Sequence, residues 1–228
     1  AMTKCRKGVM WKDSVARYSN NGLVSILKLY NSLQDGSYKI DDYQYFTIYE
    51  PKKREIVSTR FKDRVFQRSL CDNYVYEALT KGFVYDNVAC QIGKGTDFAI
   101  DRLNCHLQRF FRKYGLDGYV LKCDIKNFFG STPHATAKKA VRKRVKDKWA
   151  CSCVEDIIDS YGPGVGLGLG SQVTQLIQLA VLDDLDHFIK EVLRIHQYIR
   201  YMDDFILLHR GKAYLKYCLA QIEYQLSR

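Results

Sequence analysis

Proline is scarce in this sequence: three among 228 residues, at positions 51, 133 and 163. With hydrophobic residues at 46%, that composition describes a globular chain rather than a disordered or linker-like one. No apolar run approaches the roughly 20 residues a membrane helix needs, and no signal peptide is visible. A cytoplasmic protein with no membrane partner is therefore expected. Acidic residues are also in deficit, 25 against 36 Lys and Arg, for a formal net charge of +11. A merely soluble basic surface would show the same excess, but a polyanionic partner, nucleic acid first, is the reading it favours. Metal-type cysteine spacing is missing too. Eight cysteines are scattered, and the one tight pair, Cys151 and Cys153, has no second Cys or His pair at zinc spacing. Buried free thiols in a reducing compartment fit better than disulfides, with Cys71, Cys105 and Cys123 inside apolar patterns. The length allows one large or two small domains.

What is present centres on residues 196–210, HQYIRYMDDFILLHR. Two apolar-rich runs, Gln197 to Tyr201 and Phe205 to Leu208, flank Met202-Asp203-Asp204, which predicts a β-hairpin with two carboxylates at its turn. A solvated Asp-Asp turn has the same local pattern. Upstream, however, YVLKCDIKNFF places Asp124 at the end of another apolar strand, and a glycine-rich segment lies between the two. Adjacent carboxylates repel, and a divalent cation is the simplest compensation. Two acid-tipped strands suit two-metal phosphoryl transfer.

These motifs resemble those of reverse transcriptases. YMDD resembles the catalytic motif, DIKNFF the first aspartate motif, and GLGLGSQVTQ the segment between them, in the same order and spacing. The flavour is bacterial, closest to group II intron, retron and diversity-generating enzymes, over about Tyr45 to Leu208. The resemblance implies an α/β (α+β) right-hand polymerase: residues 1–117 mainly fingers, 118–228 mainly palm, the antiparallel palm sheet packed on helices. It implies an RNA-directed DNA polymerase adding deoxynucleotides to a primer 3′ end by two-metal phosphoryl transfer. Asp124, Asp203 and Asp204 would be catalytic, holding two Mg²⁺ (Mn²⁺ as substitute) with the Ile125 backbone carbonyl. Arg54, helped by Lys53 or Lys52, would bind the triphosphate, an arginine fork suiting phosphate oxygens. Phe129, five positions after Asp124, would be the steric gate against ribonucleotides, with Phe128 in the core. Gly170 and Gln175 would meet the nascent pair, Ser171 the template, and Arg64 and Gln67 the template or the structure. Partners implied are an RNA template, a DNA or RNA primer, dNTPs and a cognate structured RNA. Rival readings are a maturase-like intron RNA-binding module and an untemplated or defence-type polymerase with the same palm. The family follows its Asp-Asp hairpin with a thumb. The last helix here, beginning near Lys212, stops at Arg228, so a thumbless, weakly active or inactive and self-associating fragment is expected. Gly168 departs from the family pattern, which has proline there, and predicts a more mobile loop.

The remaining elements follow from periodicity. Residues 10–33 predict one or two helices broken near Asn20-Asn21-Gly22, with Val15, Tyr18, Ile26, Leu29, Tyr30 and Leu33 inward. Tyr43–Tyr49 and Arg54–Ser58 predict a hairpin with a basic turn. Phe61–Thr80 predicts a helix whose polar stripe is Asp63, Arg64 and Gln67, and Asp97–Tyr114 another. Gly118–Asp124 predicts a buried strand. Pro133 predicts a helix start capped by Ser131 or Thr132, opening a run of seven basic residues between Lys138 and Lys148. That run reads as a solvated face or a phosphate-backbone contact. Ser171–Leu193 predicts a long helix packed beneath a sheet, and Lys212–Ser227 a final one.

Overall fold

A computed structural model describes residues 1–51 and 53–227; Lys52, named above beside Lys53, and Arg228 lie outside the described residues. Helices Met2–Arg6 (α1), Asp13–Asn20 (α2) and Gly22–Gln34 (α3) come first. Strands Gln44–Ile48 (β1) and Arg54–Ser58 (β2) pair as an antiparallel hairpin. Phe61–Leu70 (α4) passes through a π-helical turn, Cys71–Val75, into Tyr76–Thr80 (α5). Thr96–Tyr114 (α6), strand Tyr119–Asp124 (β3), Phe128–Ser131 (α7), His134–Arg144 (α8) and Lys148–Asp159 (α9) follow. Gln172–Val181 (α10), Asp183–His187 (α11) and a π-helical turn, Phe188–Val192, lead to strands Tyr198–Tyr201 (β4) and Asp204–His209 (β5). Lys212–Leu226 (α12) comes last. The chain is thus mixed α/β, with small antiparallel sheets on helices. No helix among the described residues is long and apolar enough to cross a membrane.

Two compact units are formed, one by residues 1–79 with 129–175, the other by 80–128 with 176–228. The boundary drawn at 117/118 is a functional assignment and stands apart from this packing division.

In the first unit, α4 and α9 supply much of the core through Val65, Phe66, Leu70, Val154, Ile157 and Ile158. Asp63 and Gln67 are buried rather than part of a solvated stripe. Asp63 accepts hydrogen bonds from the Tyr38 hydroxyl (2.6 Å) and the Asp41 amide (3.1 Å), which satisfies a carboxylate that burial would otherwise penalise. Burial raises its pKa against those two bonds and nearby Lys62. On α3, Leu29 points inward while Ile26 and Tyr30, expected beside it, are exposed. The N-cap of α8 is Pro133 itself rather than Ser131 or Thr132. The basic run is split between α8 and α9, and two of its members are spent on the neighbouring helix: Lys138 on Asp159 (2.6 Å) and Arg142 in a fork on Glu155.

In the second unit, the sheet order is β3-β5-β4, antiparallel throughout. Strand β3, whose apolar run predicts a buried strand, has no buried residue and Val120 is 61% exposed, while β4, at the other edge of the sheet, is buried through Tyr198, Ile199 and Arg200. β5 is central, and Phe205, Leu207 and Leu208 are buried. Each buried side chain of this size contributes about 1.5–3 kcal/mol. The predicted long helix is broken at Leu182, whose backbone (φ −91°, ψ 3°) separates α10 from α11. Leu215, Cys218 and Ile222 of α12 are buried. All eight cysteines are free, Cys71 and Cys218 fully buried and Cys105 and Cys123 only partly.

Candidate active site

The β4–β5 hairpin forms as its alternation predicts, with Met202-Asp203 as a two-residue turn. β5 pairs with β3 so that Asp204 is the register partner of Asp124. Residues directly opposite on an antiparallel pair point to the same face with Cβ atoms about 5 Å apart. Asp124 and Asp204 thus share one face and are exposed, while half-buried Asp203 sits in the adjoining turn. On that face Lys122 comes within 3.8 Å of Asp204, a solvent-screened pair worth about 0–1 kcal/mol. Beside them a cavity of about 290 Å³ is lined by Ile100 and Leu103 of α6 and by Ile199, Tyr201 and Ile206 of the sheet.

The turn has a cost. Met202 has φ +58°, a left-handed backbone that charges a residue with a Cβ about 1–2 kcal/mol. Behind it lies Arg200, 0% exposed. Its Nε and Nη2 donate to the two oxygens of Asp186 (2.6 Å each), Nη2 also to the Leu179 carbonyl (3.1 Å), and Nη1 to the Met202 carbonyl (2.8 Å). The Tyr198 hydroxyl donates to the same Asp186 (2.5 Å). Burial and then the Asp186 charge raise the Tyr198 pKa well above its ordinary value. A second buried acid, Asp86, accepts from Arg102 (2.5 Å), His106 (2.9 Å) and Lys190. Burial pushes the Asp86 carboxyl upward, but those bonds outweigh it and hold it well below the usual carboxylate range.

The other predicted site residues lie in the first unit, Ile125 excepted, which follows Asp124 half-buried. Arg54 opens β2, exposed, with Lys53 exposed just before it. Ser171 is buried, and its hydroxyl donates to Gln67 Oε1 (2.8 Å), so these two engage each other. With Arg64 and Gly170 they line a cavity of about 260 Å³ that Arg68 and Lys4 also border. Gln67 Nε2 is buried there without a hydrogen-bond partner. Arg64 Nη2 donates to Ser58 Oγ (3.3 Å), and Gln175 is half-buried on α10. Phe128 is buried, and Phe129 is half-buried with its carbonyl accepting from the Leu167 amide (2.7 Å). The glycine loop expected to be mobile is tied down by that bond, by Leu169 O to the Val57 amide (3.1 Å) and by Gly168 O to Thr174 Oγ1 (2.9 Å).

No family model and no curated protein matches this sequence. Among solved structures, apo telomerase from Candida tropicalis aligns with a TM-score of 0.58 at 12% identity, over 81% of this chain and 41% of that one. Telomerase from Candida albicans in complex with a TWJ fragment of telomeric RNA aligns at 0.55 and 10% identity, over 86% and 41%. The chain shares its fold with telomerase. It spans about two-fifths of those structures. A partial Cas6-RT-Cas1–Cas2 complex aligns over 99% of the chain at 0.45, too low to argue from. What these likenesses carry is the fold, at identities that show nothing finer.

Carboxylate oxygens are hard donors, and Mg²⁺ typically takes one or two of them plus substrate phosphates rather than a closed protein cage. Among the described residues no three His, Cys, Asp or Glu side chains form a metal-holding group. A facing pair of exposed carboxylates with a third in the next turn fits the open kind of site. Asp86, Asp186 and Arg200 were missed from sequence, where they look like charges amid apolar runs. At period two Arg200 shares a face with Tyr198, but Ile199 on the opposite face is buried as well, so alternation alone did not mark Arg200 as buried.

Proposed function

We propose that this chain is the fingers and palm portion of a bacterial-type reverse transcriptase, an RNA-directed DNA polymerase. The observation that carries the reading is the register pairing of Asp124 with Asp204 across β3 and β5, with Asp203 in the turn between β4 and β5. The telomerase-like fold and the +11 charge support it. Asp124 and Asp203 would hold two Mg²⁺, with Asp204 completing the acidic set and the Ile125 carbonyl adding an oxygen. When bound, such ions supply Lewis acidity to the attacking hydroxyl and to the triphosphate. In the reaction the primer 3′ oxygen forms a bond to the α-phosphorus, the bond to the β-phosphate oxygen breaks, pyrophosphate leaves and the hydroxyl proton passes to solvent.

The chain's residues divide the remaining work. Arg54 and Lys53 bind the triphosphate, Phe129 excludes a 2′ hydroxyl beneath the sugar, and Gly170 and Gln175 flank the nascent pair. Arg64, Gln67 and Ser171 serve the template strand, Gln67 with the donor its Ser171 bond leaves free. A telomerase of this fold was solved with a fragment of telomeric RNA, and an RNA partner is carried over on that likeness.

The test is primer extension on an RNA template, on a DNA template and with none, for the wild type and Asp203→Asn. Extension on RNA, abolished by Asp203→Asn with nucleic-acid binding retained, is expected. Untemplated addition would favour the defence-type polymerase. RNA binding without synthesis would favour the maturase-like module, and extension by Asp203→Asn would remove Asp203 from the metal shell.

A further inference from the structure

We propose that Arg200 is a positioning residue for Asp203, holding through the Met202 carbonyl the peptide plane on which the Asp203 carboxylate is carried. The inference rests on the polymerase reading for its consequence in catalysis, but its geometry is independent of it.

The carbonyl of Met202 and the amide nitrogen and Cα of Asp203 lie in one rigid plane. Fixing that oxygen removes most of the freedom with which Asp203 could re-aim. Arg200 Nη1 meets the oxygen at 2.8 Å. The guanidinium cannot follow a moving turn, because Nε and Nη2 are spent on Asp186 and the Leu179 carbonyl. Arg200's own backbone is held as well: its amide donates to the Asp86 carbonyl (2.9 Å), its carbonyl accepts from the Val88 amide (3.0 Å), and Phe205 is its register partner in β5. The plane ahead of Asp203 is therefore referenced to α10, α11 and the segment around Asp86 rather than left to the turn.

Stability alone gives little reason for this arrangement. A buried ion pair is often no better for folding than a well-packed apolar pair of similar volume. What an apolar pair could not supply is a donor at the Met202 carbonyl, in a turn whose left-handed residue is not glycine. The rigid fork of arginine reaches the carboxylate and that carbonyl together, which a lysine ammonium cannot do in the same geometry.

The experiment compares the wild-type chain with Arg200→Lys, with Tyr198→Phe, and with the triple variant Asp186→Leu/Arg200→Leu/Tyr198→Phe. The triple variant swaps the buried polar cluster for an apolar one and guards against a single variant that fails to fold. The chain has three methionines, so ¹³C-methyl spectra show the Met202 resonance directly, assigned with Met202→Leu. Mn²⁺ binding is followed by electron paramagnetic resonance, and kcat and KM by primer extension. Arg200→Lys and the triple variant, folded by circular dichroism, should move the Met202 methyl resonance and weaken Mn²⁺ binding about 10-fold, as expected when a ligand's support is lost. Their kcat should fall at least as far, with KM for the nucleotide nearly unchanged. Tyr198→Phe should lower the melting temperature only. An unmoved Met202 resonance with unchanged Mn²⁺ affinity in either folded variant overturns the proposal. Absence of primer extension by the wild type bears on the polymerase reading alone, while the methyl spectra and Mn²⁺ binding decide the role of Arg200 either way.

Discussion

Gly168 stands where the reverse transcriptase pattern carries proline, and its surroundings explain why a side chain is missing. A Cβ there would lie 2.2 Å from Cε1 of Tyr161 and 3.0 Å from the Cβ of Val57. Tyr161 has little room to yield, because its ring is stacked on Tyr43 with centroids 4.7 Å apart. Gly168→Ala should therefore destabilise by about 1–3 kcal/mol in urea titration. In a background of Tyr161→Ala the cost should largely vanish, since neighbours that clash are not additive. A cost unchanged in that background would acquit the ring. Phe129 poses a question of chemistry rather than packing. Phe128 takes the buried position, leaving Phe129 half-buried five residues past Asp124. Phe129→Ala should raise ribonucleotide over deoxynucleotide incorporation by about 10-fold or more, the scale of discrimination by pocket shape. A constant ratio in matched incorporations would assign the ring to the core.

At the scale of elements, strand β4 is braced by the segment preceding α6. Asn87 bridges to Arg200, and the Asp86 carboxylate gathers Arg102 and His106 from α6 and Lys190 from the π-helical turn. The Asp86 pKa lies below its ordinary value once those bonds have overcome burial. Its contribution to stability is accordingly full above the unfolded value of about 4 and is lost as pH falls through the lower folded one. Asp86→Asn should cost about 3 kcal/mol at neutral pH, because it removes the buried charge on which the half-buried Arg102 and Lys190 converge. Denaturant titrations at neutral pH and at about pH 3 should show the gap to wild type narrowing with acid. A gap independent of pH would mean that shape, not charge, sets the contribution of Asp86.

For the whole molecule the relevant quantity is charge. Individual cations are not all free for a ligand, since Lys138 and Arg142 are committed to acids on α9, although such pairs leave the +11 excess intact. Lys139, exposed on α8, remains available. Binding to an RNA–DNA duplex should weaken with salt, each neutralised phosphate adding about −0.9 to the logarithmic slope. Lys139→Ala should flatten that slope by about one contact. No change in slope would place α8 away from the nucleic-acid backbone.

Local pattern was enough for what depends on local physics. Period-two alternation set the β4–β5 hairpin, though its turn is Met202-Asp203 and the Asp204 expected there opens β5; basic and aromatic alternation set the β1–β2 hairpin, and helical spacing most of α4, α6 and α12. Asp124 could be placed at a strand end for the same reason. Its pairing with Asp204 could not, because antiparallel register between segments 80 residues apart is decided by which faces the rest of the unit buries. The apolar run of β3 reads as a buried strand, and only the packing of the unit leaves it without a buried residue while β4, at the other edge, is covered. The helix from Ser171 looked continuous, and packing broke it at Leu182. Buried charge was least visible. A carboxylate such as Asp86 or Asp186 is tolerable in a core only once Lys190, Arg102 or Arg200 arrives from elsewhere in the chain, and desolvation makes that partnership a property of tertiary structure alone.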